Sequence, residues 1–155
     1  MLNKIKPLIE RVAEYLGVEI IPIEFDNIVD DSRLVLRPEV EIVINSKYQD
    51  DYFECAKAVT HEYRHLFQMY WVAIMKDERA RRWKAAFVDP LTSENADITS
   101  NIADATRYAY QETELDAFAF TKYFLERFEG MKVVHPSEAY EKVIEKYVEV
   151  NRETL

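Results

Sequence analysis

Two histidines four residues apart on a helix sit one above the other on the same face. His61-Glu62-Tyr63-Arg64-His65 has that spacing and reads H-E-x-x-H. It uses two of the three histidines in the chain. Two imidazoles so placed can hold one metal ion from one side. At 3.6 residues per turn, the glutamate between them points about 100° round the helix. From there Glu62 can reach a water on the metal without becoming a ligand. The chemistry implied is zinc-dependent hydrolysis, with Glu62 as general base. The plainer reading is core or boundary histidines each satisfied by a hydrogen bond, and two at this spacing with the glutamate between them are less easily dismissed.

A catalytic zinc usually takes three protein ligands and one water. The third should come from another element. Cys55 lies about two turns upstream on the core side of the same helix, and is most simply a small buried hydrophobe. The stretch Tyr108–Tyr123, YAYQETELDAFAFTKY, has no helix breaker. It is apolar on more than one side, as a buried helix is. Glu112 and Asp116 fall one turn apart on it. Buried carboxylates are costly unless paired or metal-bound. Glu112 is therefore the expected third ligand. Asp116 is expected to accept the free ring N–H of a ligand histidine and fix its tautomer. Glu114 points to nearly the opposite side from Glu112 and reads as a solvated charge. The bland alternative for Glu112 and Asp116 is an exposed acidic turn.

H-E-Y-R-H at 61–65 followed by E-T-E-L-D at 112–116 matches H-E-x-x-H … E-x-x-x-D. In this the chain resembles the gluzincin zinc metallopeptidases. The continuation D-A-F-A-F at 116–120 looks like the small members, the minigluzincins and the ImmA/IrrE-type peptidases. The resemblance covers about residues 40–120. It implies Zn2+ held by His61, His65 and Glu112, Glu62 as general base, and Asp116 behind the ligands. It also implies a zincin-like α+β fold. That fold has a small mixed sheet with an edge strand over the cleft, packed on the H-E-x-x-H helix and a second ligand-bearing helix. Leu115 stands where the small members commonly have Ala. Larger gluzincins add a C-terminal subdomain that supplies a Tyr or His to the transition state, and a chain of 155 residues is expected to lack it.

The elements that must position these groups are legible in outline. Asp50 and Asp51 suit a helix N-terminus before Tyr52, and no Gly or Pro interrupts Tyr52–Met75. Cys55, Val59, Leu66, Met69 and Ala73 recur at helical spacing as its apolar face, with the histidines beside it. Met1–Gly17 reads as an amphipathic helix. Glu19–Phe25, Arg33–Arg37 and Val40–Asn45 read as strands, the last alternating with Val40, Ile42 and Ile44 on one face. The resemblance makes Val40–Asn45 the edge strand that pairs with an extended substrate. Ile42, Ile44 and Asn45 are then the substrate-binding positions. Val88–Asn101 reads as a connector across the cleft, and Ser137–Val150 as a final helix capped by Ser137.

Zinc brings the pKa of water bound to it to about 7. Glu62 would take a proton from that water and pass it to the leaving amine. A second donor to the developing oxyanion is expected. Tyr108 is the first candidate, lying one turn before Glu112 on nearly the same face, although a packed aromatic is the plainer reading. His135 is the second. Tyr63 points away from the histidines.

With 48% hydrophobic and 32% charged residues, two Gly and one Cys, the chain reads as one helix-rich globular domain over residues 1–155 without a disulfide framework. No secretory or membrane-spanning segment is evident, so a cytoplasmic location is expected. A net charge of −9 disfavours nucleic acid as partner. The basic run Lys76, Arg79, Arg81, Arg82 and Lys84 reads as a solvated helical face. The expected partner is a peptide or protein substrate. Two other readings use the same residues: a zinc-binding interaction module of the same fold without turnover, and a metal-free helical binding protein.

Overall fold

In a computed structural model, residues 1–88 and 111–155 are described. The described elements are mixed α and β. The first, α1 (Leu2–Leu16), buries Ile5, Leu8, Ile9, Val12, Ala13 and Leu16. It ends at Gly17, whose φ of 66° lets the Gly17 and Val18 amides close on Glu14 and Ala13. Three strands follow: β1 (Ile23–Asp26), β2 (Ser32–Val35) and β3 (Glu41–Asn45). A 3-10 turn at Ser46–Tyr48 leads into α2 (Tyr52–Ile74). Then come α3 (Glu78–Val88), α4 (Glu112–Phe128) and α5 (Glu138–Asn151). Tyr108 and most of the expected connector Val88–Asn101 lie outside the described residues.

The helix that carries H-E-x-x-H starts where its capping chemistry puts it. Asp51 accepts from the Glu54 amide at 3.1 Å. The Cys55 and Val59 side chains are fully buried, with Leu66 nearly so. This helix is the centre of the molecule. It packs on α1, on the sheet and on α4, and α5 covers α4. Tyr63, on the side away from the histidines, accepts from the Ile21 amide at 3.2 Å. Ser137 caps α5 through the Tyr140 amide. No described helix is long and apolar enough to cross a membrane.

The sheet is mixed, in the order β1-β3-β2, with β1 parallel and β2 antiparallel to β3. This overturns the expected place of Val40–Asn45. Its regular part, β3, is the central strand, and both its edges are paired. Ile42 and Ile44 are fully buried and Val43 is 9% exposed. A run of Ile-Val-Ile suits a strand covered on both faces, and the alternation read from it described only one of them. Ile42 and Ile44 are core residues, not substrate-binding ones. Asn45 is structural as well: its side-chain amide donates to the carbonyls of Ile28 (2.6 Å) and Asp30 (3.0 Å), pinning the segment between β1 and β2. Among the described residues, the edge strand that packs on α2 is β2.

Candidate metal centre

His61 and His65, one turn apart on α2, turn their Nε2 atoms to within 3.0 Å of each other. The carboxylate that meets them comes from the first turn of α4, and it is Glu114. Its Oε2 lies 3.3 Å from His61 Nε2, and its Oε1 lies 3.2 Å from His65 Nε2. These three residues form a group that could hold a metal ion. A tetrahedral ion with bonds of 2.0–2.2 Å needs ligand atoms about 3.3 Å or slightly more apart. The observed separations of 3.0–3.3 Å are close to that edge length. Glu114 Oε2 is also buried with no hydrogen-bond partner. A buried carboxylate oxygen left in this way is costly unless a cation satisfies it. The donor set therefore fits a metal.

The expected ligand Glu112 is elsewhere. Its carboxylate accepts from Arg82 Nε of α3 at 2.9 and 3.1 Å. Glu112 and Glu114 do face different helices, but which of them meets the histidines is reversed. The reason lies in how α4 seats on α2. Thr113, Ala117, Phe120 and Phe124 form its central buried stripe. Glu114 flanks that stripe on one side and Asp116 on the other, and both reach α2. Glu112 is the first helical residue and swings out to α3. Glu114, taken as a solvated charge, keeps only 12% of its side-chain surface.

Asp116 is 2% exposed and does not touch a histidine. It accepts from Arg64 through Nε and Nη2, at 2.7 and 3.0 Å. Gln68 Nε2 adds a bond at 2.8 Å and the Tyr147 hydroxyl one at 3.2 Å. Gln68 intervenes between Asp116 and the site, with its Oε1 2.9 Å from His65 Nδ1. The ring contact expected of Asp116 belongs to Gln68. Arg64 also donates to the Thr154 carbonyl at 3.1 Å, and its guanidinium lies over the rings of Phe67 and Phe120.

Glu62 is 4% exposed and accepts from Ser32 Oγ of β2 at 2.7 Å. No described residue donates to its other oxygen. His135 reaches the site only through Phe118, whose ring touches both His61 (4.7 Å between centroids) and His135 (5.7 Å). Its Nδ1 accepts from the Ser137 amide, and burial lowers its pKa, so the ring is neutral at pH 7. Glu114, Ser32 and Gln68 were missed in the sequence. Gln68 alone had a signal, lying one turn beyond His65 on the same flank.

Electrostatics bind the site together. Burial opposes charge on His65, but the Glu114 carboxylate outweighs it, with help from Glu62 and Gln68, and the pKa rises to about 9. Burial would raise the pKa of Glu114, but the two imidazoles hold it far below the usual carboxylate range. Without a metal, His65 and Glu114 form an ion pair at pH 7. A metal must displace that proton to bind.

A scan against models of protein families, a search of curated proteins and a search of solved structures found no match to this chain. Its function therefore rests on the chemistry of the site.

Proposed function

We propose that this chain is a zinc-dependent peptidase with a zincin-like site, in which His61, His65 and Glu114 hold the ion and Glu62 moves the proton. The observation that carries this reading is the convergence of two imidazole nitrogens and an unsatisfied carboxylate oxygen beside a buried, independently held glutamate. Two nitrogen ligands and one oxygen ligand at these separations suit zinc. When bound, zinc supplies Lewis acidity to a water and to a peptide carbonyl. Glu62 would serve as the general base. Ser32 holds one of its oxygens, and the other is available to take a proton from water and hand it to the leaving amine.

The sheet supports the same assignment through β2 rather than β3. This strand is an edge, it packs on α2, and its Ser32 touches Glu62. An extended peptide paired to that edge by backbone hydrogen bonds would lie beside the general base. A net charge of −9 argues against nucleic acid as substrate. We place the activity in the cytoplasm, in keeping with a single cysteine, Cys55, that is buried and free.

Glu62→Gln tests the assignment. The variant should keep about one zinc per chain and lose at least a hundredfold in cleavage of an unfolded protein or peptide library, the general-base contribution being about 10²–10⁴-fold. Full activity in the variant sinks the role of Glu62. Zinc loading of the wild type with no cleavage of any library member assigns the chain instead to the second reading, a zinc-binding interaction module.

A further inference from the structure

Gln68 is fully buried, and both its amide N–H donors and its carbonyl oxygen have a partner. Its Nε2 donates to the Thr113 carbonyl at 2.9 Å and to Asp116 Oδ2 at 2.8 Å. Both partners are acceptors only, so the nitrogen must face them and the amide cannot be turned over. Its Oε1 therefore faces His65 Nδ1 at 2.9 Å, and an oxygen there can only accept. That makes Nδ1 the protonated nitrogen of His65. In the neutral ring Nε2 is then the atom with the free lone pair, and Nε2 is the atom aimed at His61 and Glu114. Neutral histidine in water prefers the opposite tautomer, with the proton on Nε2, which would block the ligand position.

We propose that Gln68 is the positioning residue of the site: it holds His65 as the Nδ1–H tautomer and so presents Nε2 as a ligand. The direction is imposed from behind. Asp116 is pinned by Arg64 and Tyr147, so it sets which way the Gln68 amide points, and the amide sets the proton on His65. A carboxylate in direct contact would make the ring more basic. An amide fixes the tautomer without adding charge next to Glu114. For its effect on metal affinity the inference rests on the metal-site reading above, while the tautomer itself does not.

Two-bond proton–nitrogen NMR of the metal-free protein, at alkaline pH where the imidazoles are neutral, reads the tautomer directly. Zinc affinity by chelator competition is measured beside it, on the wild type and on Gln68→Met and Gln68→Glu. The wild type should show His65 as Nδ1–H. Gln68→Met, near in volume but without the acceptor, should shift it toward Nε2–H and weaken zinc about 10–100-fold. Gln68→Glu keeps an acceptor and should keep the Nδ1–H tautomer. Nε2–H in the wild type overturns the proposal even if zinc binds. So does a folded Gln68→Met that keeps Nδ1–H and binds zinc within threefold of the wild type. If Gln68→Met does not fold, the wild-type tautomer still decides. Nδ1–H in a wild type that takes up no zinc supports the role of Gln68 and overturns the metal-site reading instead.

Discussion

Helix α4 carries two buried carboxylates two residues apart, and they have opposite fates. Asp116 receives four hydrogen bonds, two from Arg64 and one each from Gln68 and Tyr147. Glu114 meets two imidazoles and has an oxygen with no hydrogen bond at all. Both are on the same helix, both face α2, and both are shielded from water. The difference is saturation. A carboxylate whose lone pairs are all taken by fixed donors holds the fold together. One that is buried beside neutral-capable nitrogens and left unsatisfied can take a cation.

The largest effect that tests this contrast is on metal content. Glu114→Ala should drop zinc from about one per chain to near zero, read by mass spectrometry of protein purified without added zinc. Substantial zinc in that variant would remove Glu114 from the ligand set.

Breaking the saturated carboxylate should instead cost stability. Arg64→Ala leaves Asp116 buried without its cation, and removing one partner of a buried pair costs about 3–5 kcal/mol. Chemical denaturation of the metal-free variant measures it. A loss under about 1 kcal/mol would mean that Gln68 and Tyr147 alone satisfy Asp116.

A pH series separates the two carboxylates further. His65 has a pKa of about 9 in the metal-free protein, so its proton competes with zinc at neutral pH. Apparent zinc affinity should rise about tenfold per pH unit from pH 7 to 8.5 and flatten above about 9. A plateau beginning near the ordinary histidine value of 6.5 would show that Glu114 is not paired with His65. Stability of the metal-free protein should move the other way. The raised His65 value contributes fully below 6.5 and is lost as pH rises through about 9. The lowered Glu114 value contributes above its ordinary 4.5 and is lost as pH falls below it. The pair therefore stabilises most between 4.5 and 6.5.

The smallest effect is the most discriminating between the two glutamates of the E-T-E stretch. Among the described residues, Glu112→Ala removes the hydrogen bonds with Arg82, which keeps its second partner Glu78. Zinc content and the thermal midpoint should be unchanged. Loss of zinc in Glu112→Ala with retention in Glu114→Ala would reverse the ligand assignment.

The basic run at the start of α3 is largely the solvated face that its charge pattern predicts: Lys76, Arg81, Arg82 and Lys84 are exposed and Arg79 is half-buried. Arg82 is engaged by Glu78 and Glu112, and Arg79 lies over the rings of Trp71 and Trp83. Trp83, 1% exposed, is the anchor that the same helix turns inward.

What the chain alone determines is what local periodicity determines. H-E-x-x-H at i and i+4 brings His61 and His65 together on any helix. The breaker-free run from Tyr52 and the cap at Asp51 make that helix form where it does. The mixed α and β class and the approximate place of the strands follow from the change in period after Gly17. Three decisions belong to tertiary structure. Strand order puts β3 in the centre, because a run of Ile-Val-Ile cannot say which neighbours pair with it. The rotation of α4 on α2 chooses Glu114 over Glu112, because a helix buried on more than one side offers two flanks and periodicity cannot rank them. Gln68 comes between Asp116 and His65 because Arg64, inside the motif itself, draws the aspartate to its own side. In each case the deciding contact joins residues remote in the chain, and only packing sets the rotation and register between them.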